Sequence, residues 1–152
     1  IYKKLDNDMI TNFSVFTRAI NSLSDKDVRV SNRLSLPSKK LRGFEYSKIG
    51  PVDSGDYIGG NYAAAINVST TLPMFLQNME TADVSYFIDI GNVWGVDYSS
   101  SIDDSNKIRS SSGILLNWFT PIGPLNFSLA QPITKANTDK TQSFQFNLGT
   151  TF

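Results

Sequence analysis

Phe144-Gln145-Phe146-Asn147-Leu148-Gly149-Thr150-Thr151-Phe152 closes the chain, and the reading of this stretch decides the fold. Phe144, Phe146, Leu148, Thr150 and Phe152 share one face of an extended strand, while Gln145, Asn147, Gly149 and Thr151 share the other, because successive side chains of a strand point to opposite sides. Two environments produce this alternation. A soluble sheet puts its core on one side and water on the other, whereas a transmembrane barrel strand meets lipid outside and a polar lumen inside.

Working outward, the same grammar repeats. Leu125, Phe127 and Leu129 alternate with Asn126, Ser128 and Ala130, between Pro124 and Pro132, which suit strand ends because proline donates nothing to the ladder. Ile108, Ser112, Ile114, Leu116 and Trp118 oppose Arg109, Ser111, Gly113 and Asn117, with Leu115 breaking the polar face. Val84, Tyr86, Ile88 and Ile90 oppose Asp83, Ser85, Asp89 and Gly91, with Phe87 as the exception, and Tyr62 to Leu72 repeats the pattern. These five strands are each about 9–11 residues long, the length a tilted membrane-spanning strand requires. Two weaker candidates lie near 10–20 and 28–36. Thr120-Pro121-Ile122-Gly123-Pro124 reads as a tight turn, while 95–106 and 133–141 are longer and polar. Short turns on one side and longer loops on the other are barrel habits. Together with the terminal aromatic, which resembles the C-terminal strand signal of bacterial outer-membrane barrels, they favour the membrane alternative. Counting back from a periplasmic C-terminus puts the tight turn and 73–80 inside and both polar loops outside. The even-numbered faces of 62–72, 84–90 and 108–118, together with Leu125, Phe127 and Leu129, then point to lipid.

Composition narrows the functions. Fourteen basic residues balance fourteen acidic ones, so nothing favours nucleic acid as a partner. Cysteine and histidine are both absent, which removes disulfides, thiolate and imidazole metal sites, and every Ser-His-Asp or Cys-His mechanism. No catalytic residue, metal or cofactor is expected. The chain begins mid-stream at Ile1 and Tyr2 without a secretory signal, so it is expected to be a mature fragment or the tail of something longer.

The longest unpatterned stretch, about 35–58, contains Lys39, Lys40, Leu41, Arg42, Gly43 and Phe44. A connection of this length is usually functional or disordered, and a solvated basic loop is the bland alternative. Three motifs decide between them. Leu41-Arg42-Gly43-Phe44 is followed by Ile49-Gly50-Pro51 and Gly59-Gly60-Asn61; then come Phe87-Ile88-Asp89-Ile90-Gly91-Asn92-Val93-Trp94, and Arg109-Ser110-Ser111-Ser112-Gly113 leading into Trp118-Phe119-Thr120-Pro121-Ile122-Gly123-Pro124. In this order and spacing they resemble the C-terminal part of the BamA family, over roughly residues 25–152. Leucine opens the first motif where valine is common.

The resemblance implies an all-β fold, an antiparallel up-and-down transmembrane barrel of 16 strands, of which residues 1–152 supply about the last six, preceded by periplasmic POTRA domains. It implies that the loop bearing Arg42 folds back into the lumen, against the strand carrying Phe87, Asp89 and Gly91. A guanidinium in a confined lumen needs a fixed carboxylate, and Asp89 lies on the inward phase. The implied work is mechanical: outer-membrane insertion of unfolded β-barrel clients through a seam at the C-terminal strand, with outer-membrane lipid and accessory lipoproteins as partners. Phe144, Phe146, Leu148 and Phe152 form the strand signal and Gly149 weakens its pairing. The rivals are a secretion transporter, a membrane anchor for an upstream hydrolase, and a soluble sandwich that binds a partner.

Overall fold

Two-residue alternation over long stretches leaves antiparallel strands as the economical way to satisfy the backbone. Such strands dominate the computed structural model, which describes residues 1–4, 9–23, 26–75 and 81–149. The strands are β1 (Tyr2–Lys4), β2 (Ile10–Ala19), β3 (Gly43–Phe44), β4 (Val52–Asp53), β5 (Asp56–Tyr57), β6 (Tyr62–Thr71), β7 (Ala82–Trp94), β8 (Arg109–Thr120), β9 (Gly123–Thr134), β10 (Thr141–Gln142) and β11 (Phe144–Leu148). Seven of them form one sheet in the order β1-β2-β6-β7-β8-β9-β11, every neighbouring pair antiparallel. That is an open meander with two free edges among the described residues. It is a single sheet, not the two packed layers of a sandwich. No described helix is long and apolar enough to cross a membrane.

Six strands carry the meander and the three-residue β1 adds a seventh. The candidate at 10–20 is β2. The candidate at 28–36 is not a strand: it holds a 3-10 turn at Val30–Asn32 and one isolated bridge, Leu34 to Gly60. Pro132 also departs from expectation. It lies inside β9, opposite Ser111, where a register shift between Ser110 and Ser111 relieves the ladder of the missing donor. Phe152 lies outside the described residues, and β11 ends at Leu148, before Gly149.

The tight turn is the two residues Pro121 and Ile122 between β8 and β9. The connection from β2 to β6 behaves differently. It folds over one face of the sheet and buries Leu36, Leu41, Phe44 and Ile49 against Ala63, Ala65 and Val93. Small residues on β6 leave room for the loop's larger ones, so the core lies between loop and sheet rather than between two sheets. The opposite face is bare, with Ile66, Tyr86, Ile88, Ile90, Ile114, Trp118, Leu129, Phe144, Phe146 and Leu148 exposed.

Candidate functional site: two buried arginine centres beneath the loop

The first centre is built from a loop residue and two strands. Gly43, with φ +88°, turns the chain so that Arg42 points down at the sheet while Phe44 enters the core. A Cβ at Gly43 would stand 3.1 Å from the Ala130 Cβ, tighter than side chains usually pack, and with the positive φ this makes glycine the residue that suits the close approach of loop to sheet. Arg42 then meets Asp89 in a fork. Nε donates to Oδ2 at 2.7 Å, Nη2 donates to Oδ1 at 2.7 Å, and the Arg42 backbone N–H adds a third bond to Oδ2 at 3.1 Å. Asn67 Nδ2 donates to Asp89 Oδ1 at 2.9 Å and to the Lys40 carbonyl at 2.8 Å, tying the loop to the neighbouring strand. The Phe87 ring lies beneath the guanidinium, 3.6 Å from ring centroid to Cζ. Phe87 and Asp89 are both 0% exposed.

This geometry accounts for the apolar exception on an otherwise polar face. A buried guanidinium loses its hydration, and an aromatic face below and a carboxylate in plane replace it. Gly91 completes the arrangement by its smallness: a Cβ there would lie 3.0 Å from both the Ala64 carbonyl oxygen and Leu36 Cδ1. The Ser111 hydroxyl donates to the Arg42 carbonyl. Lys40 Nζ reaches Ser14 Oγ at 3.0 Å, whereas Lys39 is exposed. The basic cluster is therefore split, with one member solvated and its arginine buried.

The second centre is built on Arg109, which heads one of the three motifs but to which the sequence assigned no partner. Arg109, 0% exposed, sits opposite Gly91 in the β7–β8 ladder. Its Nε and Nη2 fork onto Asp139 at 2.9 and 2.8 Å, its Nη2 also meets Asp104 at 2.6 Å, and its Nη1 donates to Asn92 Oδ1 at 2.5 Å. One guanidinium thus joins the end of β7, the connection after it and the connection between β9 and β11. The inward phase of Arg109 was the available signal, by the same argument that gives Arg42 a carboxylate. Nothing in the spacing of Asp104 and Asp139 identifies them as its partners.

A third, exposed contact ties the long loop to the outer connection. Tyr98 donates to Asp53 Oδ2 at 2.6 Å. That bond, with one from Ser54, holds the Asp53 carboxyl below the usual carboxylate range, and the same bond raises the Tyr98 phenol. Toward the Gly149 end of the sheet the loop leaves a polar cavity of about 430 Å³, lined by Arg42, Asp83, Ser85, Asn117, Asn126 and Asn147 among others. The first centre holds the long loop on the sheet and the second holds two further connections to it, so the site is a clamp.

A single meandering sheet with an apolar bare face, a polar covered face and a loop pinned inside defines the class of outer-membrane barrel segments. The chain belongs to the Omp85 superfamily, whose domain, described as the Omp85 superfamily domain, matches residues 1–152. Within it the chain is similar to BamA. It is 32% identical over 139 residues to the outer membrane protein assembly factor BamA of Neisseria meningitidis, which covers 74% of this chain and 17% of that protein. It is 31% identical over 144 residues to the factor of the same name from Neorickettsia risticii, covering 91% of this chain and 19% of that one. The crystal structure of BamA from Haemophilus ducreyi lacking POTRA domains 1–3 superposes with a TM-score of 0.85 at 28% identity, over 95% of this chain and 32% of that one. The chain spans less than a fifth of the length of these curated relatives.

Proposed function

We propose that residues 1–152 are the C-terminal portion of an outer-membrane insertase barrel, which assembles unfolded β-barrel clients through a seam at its closing strand. The observation that carries this reading is the mismatch at β11. Five residues of β11 pair with Leu125 to Leu129 of the twelve-residue β9, so less than half of β9 is matched on that side. A short strand pairs weakly, and a strand that parts from its neighbour offers backbone donors and acceptors to an incoming one. Gly149, with φ +104°, ends the strand and weakens its continuation. The bare apolar face meets lipid and the loop-covered face lines the lumen. The C-terminus is periplasmic, with 35–58 folding in from the outer side. POTRA domains and accessory lipoproteins complete the full-length machine, whose work is mechanical rather than catalytic.

The test uses the full-length protein in native membranes. A disulfide between Asn147→Cys and a cysteine in the first barrel strand is expected to abolish client insertion while the barrel stays folded, and reduction is expected to restore it. Normal insertion by the cross-linked form removes the seam and leaves a membrane anchor.

A further inference from the structure

The segment leading into the closing strand belongs to the loop as much as to the sheet. Thr141 and Gln142 leave β9 and form a separate antiparallel ladder with Phe44 and Gly43. Around them the Glu45 N–H donates to the Lys140 carbonyl at 3.0 Å and the Lys140 N–H to the Lys48 carbonyl at 3.1 Å. Asp139, just before, is gripped by Arg109. The last tie in this series is a side chain. Gln145, 7% exposed, donates from Nε2 to the Phe44 carbonyl at 2.8 Å. Only the amide nitrogen can donate to a carbonyl, so the chemistry fixes which way the amide points. Its Oε1 is buried with no hydrogen-bond partner among the described residues, so what holds the side chain here is its donor. Below Gln145 the strand runs along β9: Asn147 lines the polar cavity, and the Gly149 N–H donates to the Pro124 carbonyl at 2.9 Å.

We propose that Gln145 is the positioning residue of the closing strand, fixing its upstream end to the Arg42-Gly43-Phe44 loop so that the movable part of the seam begins at Phe146. The inference rests on the seam reading above. It adds that the loop motif sets the pose of the gate strand through a single amide-to-carbonyl bond, with the ladder at Thr141 and Gln142 behind it. The aromatic contact between Phe127 and Phe146, ring centroids 5.0 Å apart, lies on the bare face just past this point and is free to break without disturbing the loop.

The experiment compares Gln145→Met, which keeps length and loses the donor, and Gln145→Glu, which sets a carboxylate oxygen against the carbonyl, with Gln131→Leu on exposed β9 as control. All are made in the full-length protein in proteoliposomes. Amide exchange over 145–149 is read by mass spectrometry beside that over 62–71, and client insertion is measured per folded molecule. Losing one net hydrogen bond is expected to speed exchange over 145–149 about three- to tenfold, with 62–71 unchanged. Gln145→Glu is expected to exceed Gln145→Met, insertion per folded molecule is expected to change in both, and Gln131→Leu is expected to match wild type. Unchanged exchange over 145–149, or equal loosening of 62–71, overturns the positioning role, as does insertion that falls only in proportion to the folded amount. Wild-type protein that inserts no client while Gln145→Met still loosens 145–149 sinks the seam reading and leaves Gln145 as the strand's tether.

Discussion

The two faces of β7 put opposite chemistries one residue, about 3.3 Å, apart along one strand. On the covered face Phe87 and Asp89 are wholly buried, and Arg42 joins them from the loop. On the other, Ile88 and Ile90 are 39% and 40% exposed, in line with Tyr86. A water-soluble sheet would bury the isoleucines and expose the carboxylate, since ionised groups are rarely inside unless paired. Here the pairing lies inside and the greasy side chains outside. The difference teaches where the solvent changes: apolar surface is left bare because lipid, not water, covers it, and the interior is polar because a loop with matched charges fills it. The core under Leu36, Leu41 and Phe44 is small and lies only beneath the loop.

The strongest way to break this comparison is at the charges. Asp89→Ala leaves the Arg42 guanidinium buried and uncompensated, and Arg42→Ala does the same to Asp89, so each is expected to destabilise the folded barrel by about 3–5 kcal/mol. The double mutant is expected to lose less than the sum, because both changes remove one interaction. Urea midpoints of the full-length protein in a bilayer measure all three, and full additivity would mean the two groups do not depend on each other. Arg109→Ala strands Asp139, itself fully buried at its side chain, and a loss of the same order is expected there.

A lysine sharpens the contrast between faces. Ile88→Lys is expected to cost about 2–4 kcal/mol if the position lies at the bilayer midplane. Ser85→Lys, three residues away on the opposite face and at the edge of the polar cavity, is expected to be tolerated far better, because the cavity gives an ammonium room and water. Equal losses at the two positions in a bilayer folding assay would remove the lipid from the account of the bare face.

The smallest expected effect concerns the rim. A carboxyl held below its ordinary pKa adds stability that is complete above the unfolded value and is lost as pH falls through the folded one, so the Asp53 contact holds at neutral pH and fails only in acid, below about pH 4. The raised Tyr98 phenol keeps its proton through neutral pH and surrenders it only above about pH 10. Proteolysis of the loop around Asp53 across pH 3–8 is expected to accelerate only at the acid end. Tyr98→Phe is expected to flatten that profile, and acceleration already at pH 6 would assign the contact to another group.

Much of this was legible in residue order, for a definite reason. Strand phase depends on neighbouring residues alone, so the alternation from Tyr62 to Leu148 sets which side chains share a face before any partner is known. The exceptions were readable too: Phe87 among polar residues marks the place where something apolar or cationic must come down. Other features depend on residues far apart in the chain. Arg109 belongs with Asp104 and Asp139 because two connections converge at the start of β8, and Gln145 belongs with Phe44 because a loop 101 residues away folds back onto the closing strand. Pro132 sits inside a strand because a bulge beside it, at Ile133, absorbs it. Local pattern determined the strands and their faces, since these follow from backbone geometry, while the burial of the loop's arginine was implied by the family resemblance of its motif. Only the tertiary structure decided which carboxylate meets which arginine and where the closing strand is held, because hydrogen bonds between distant residues are set by register and loop path, and neither is written in the spacing of the residues that make them.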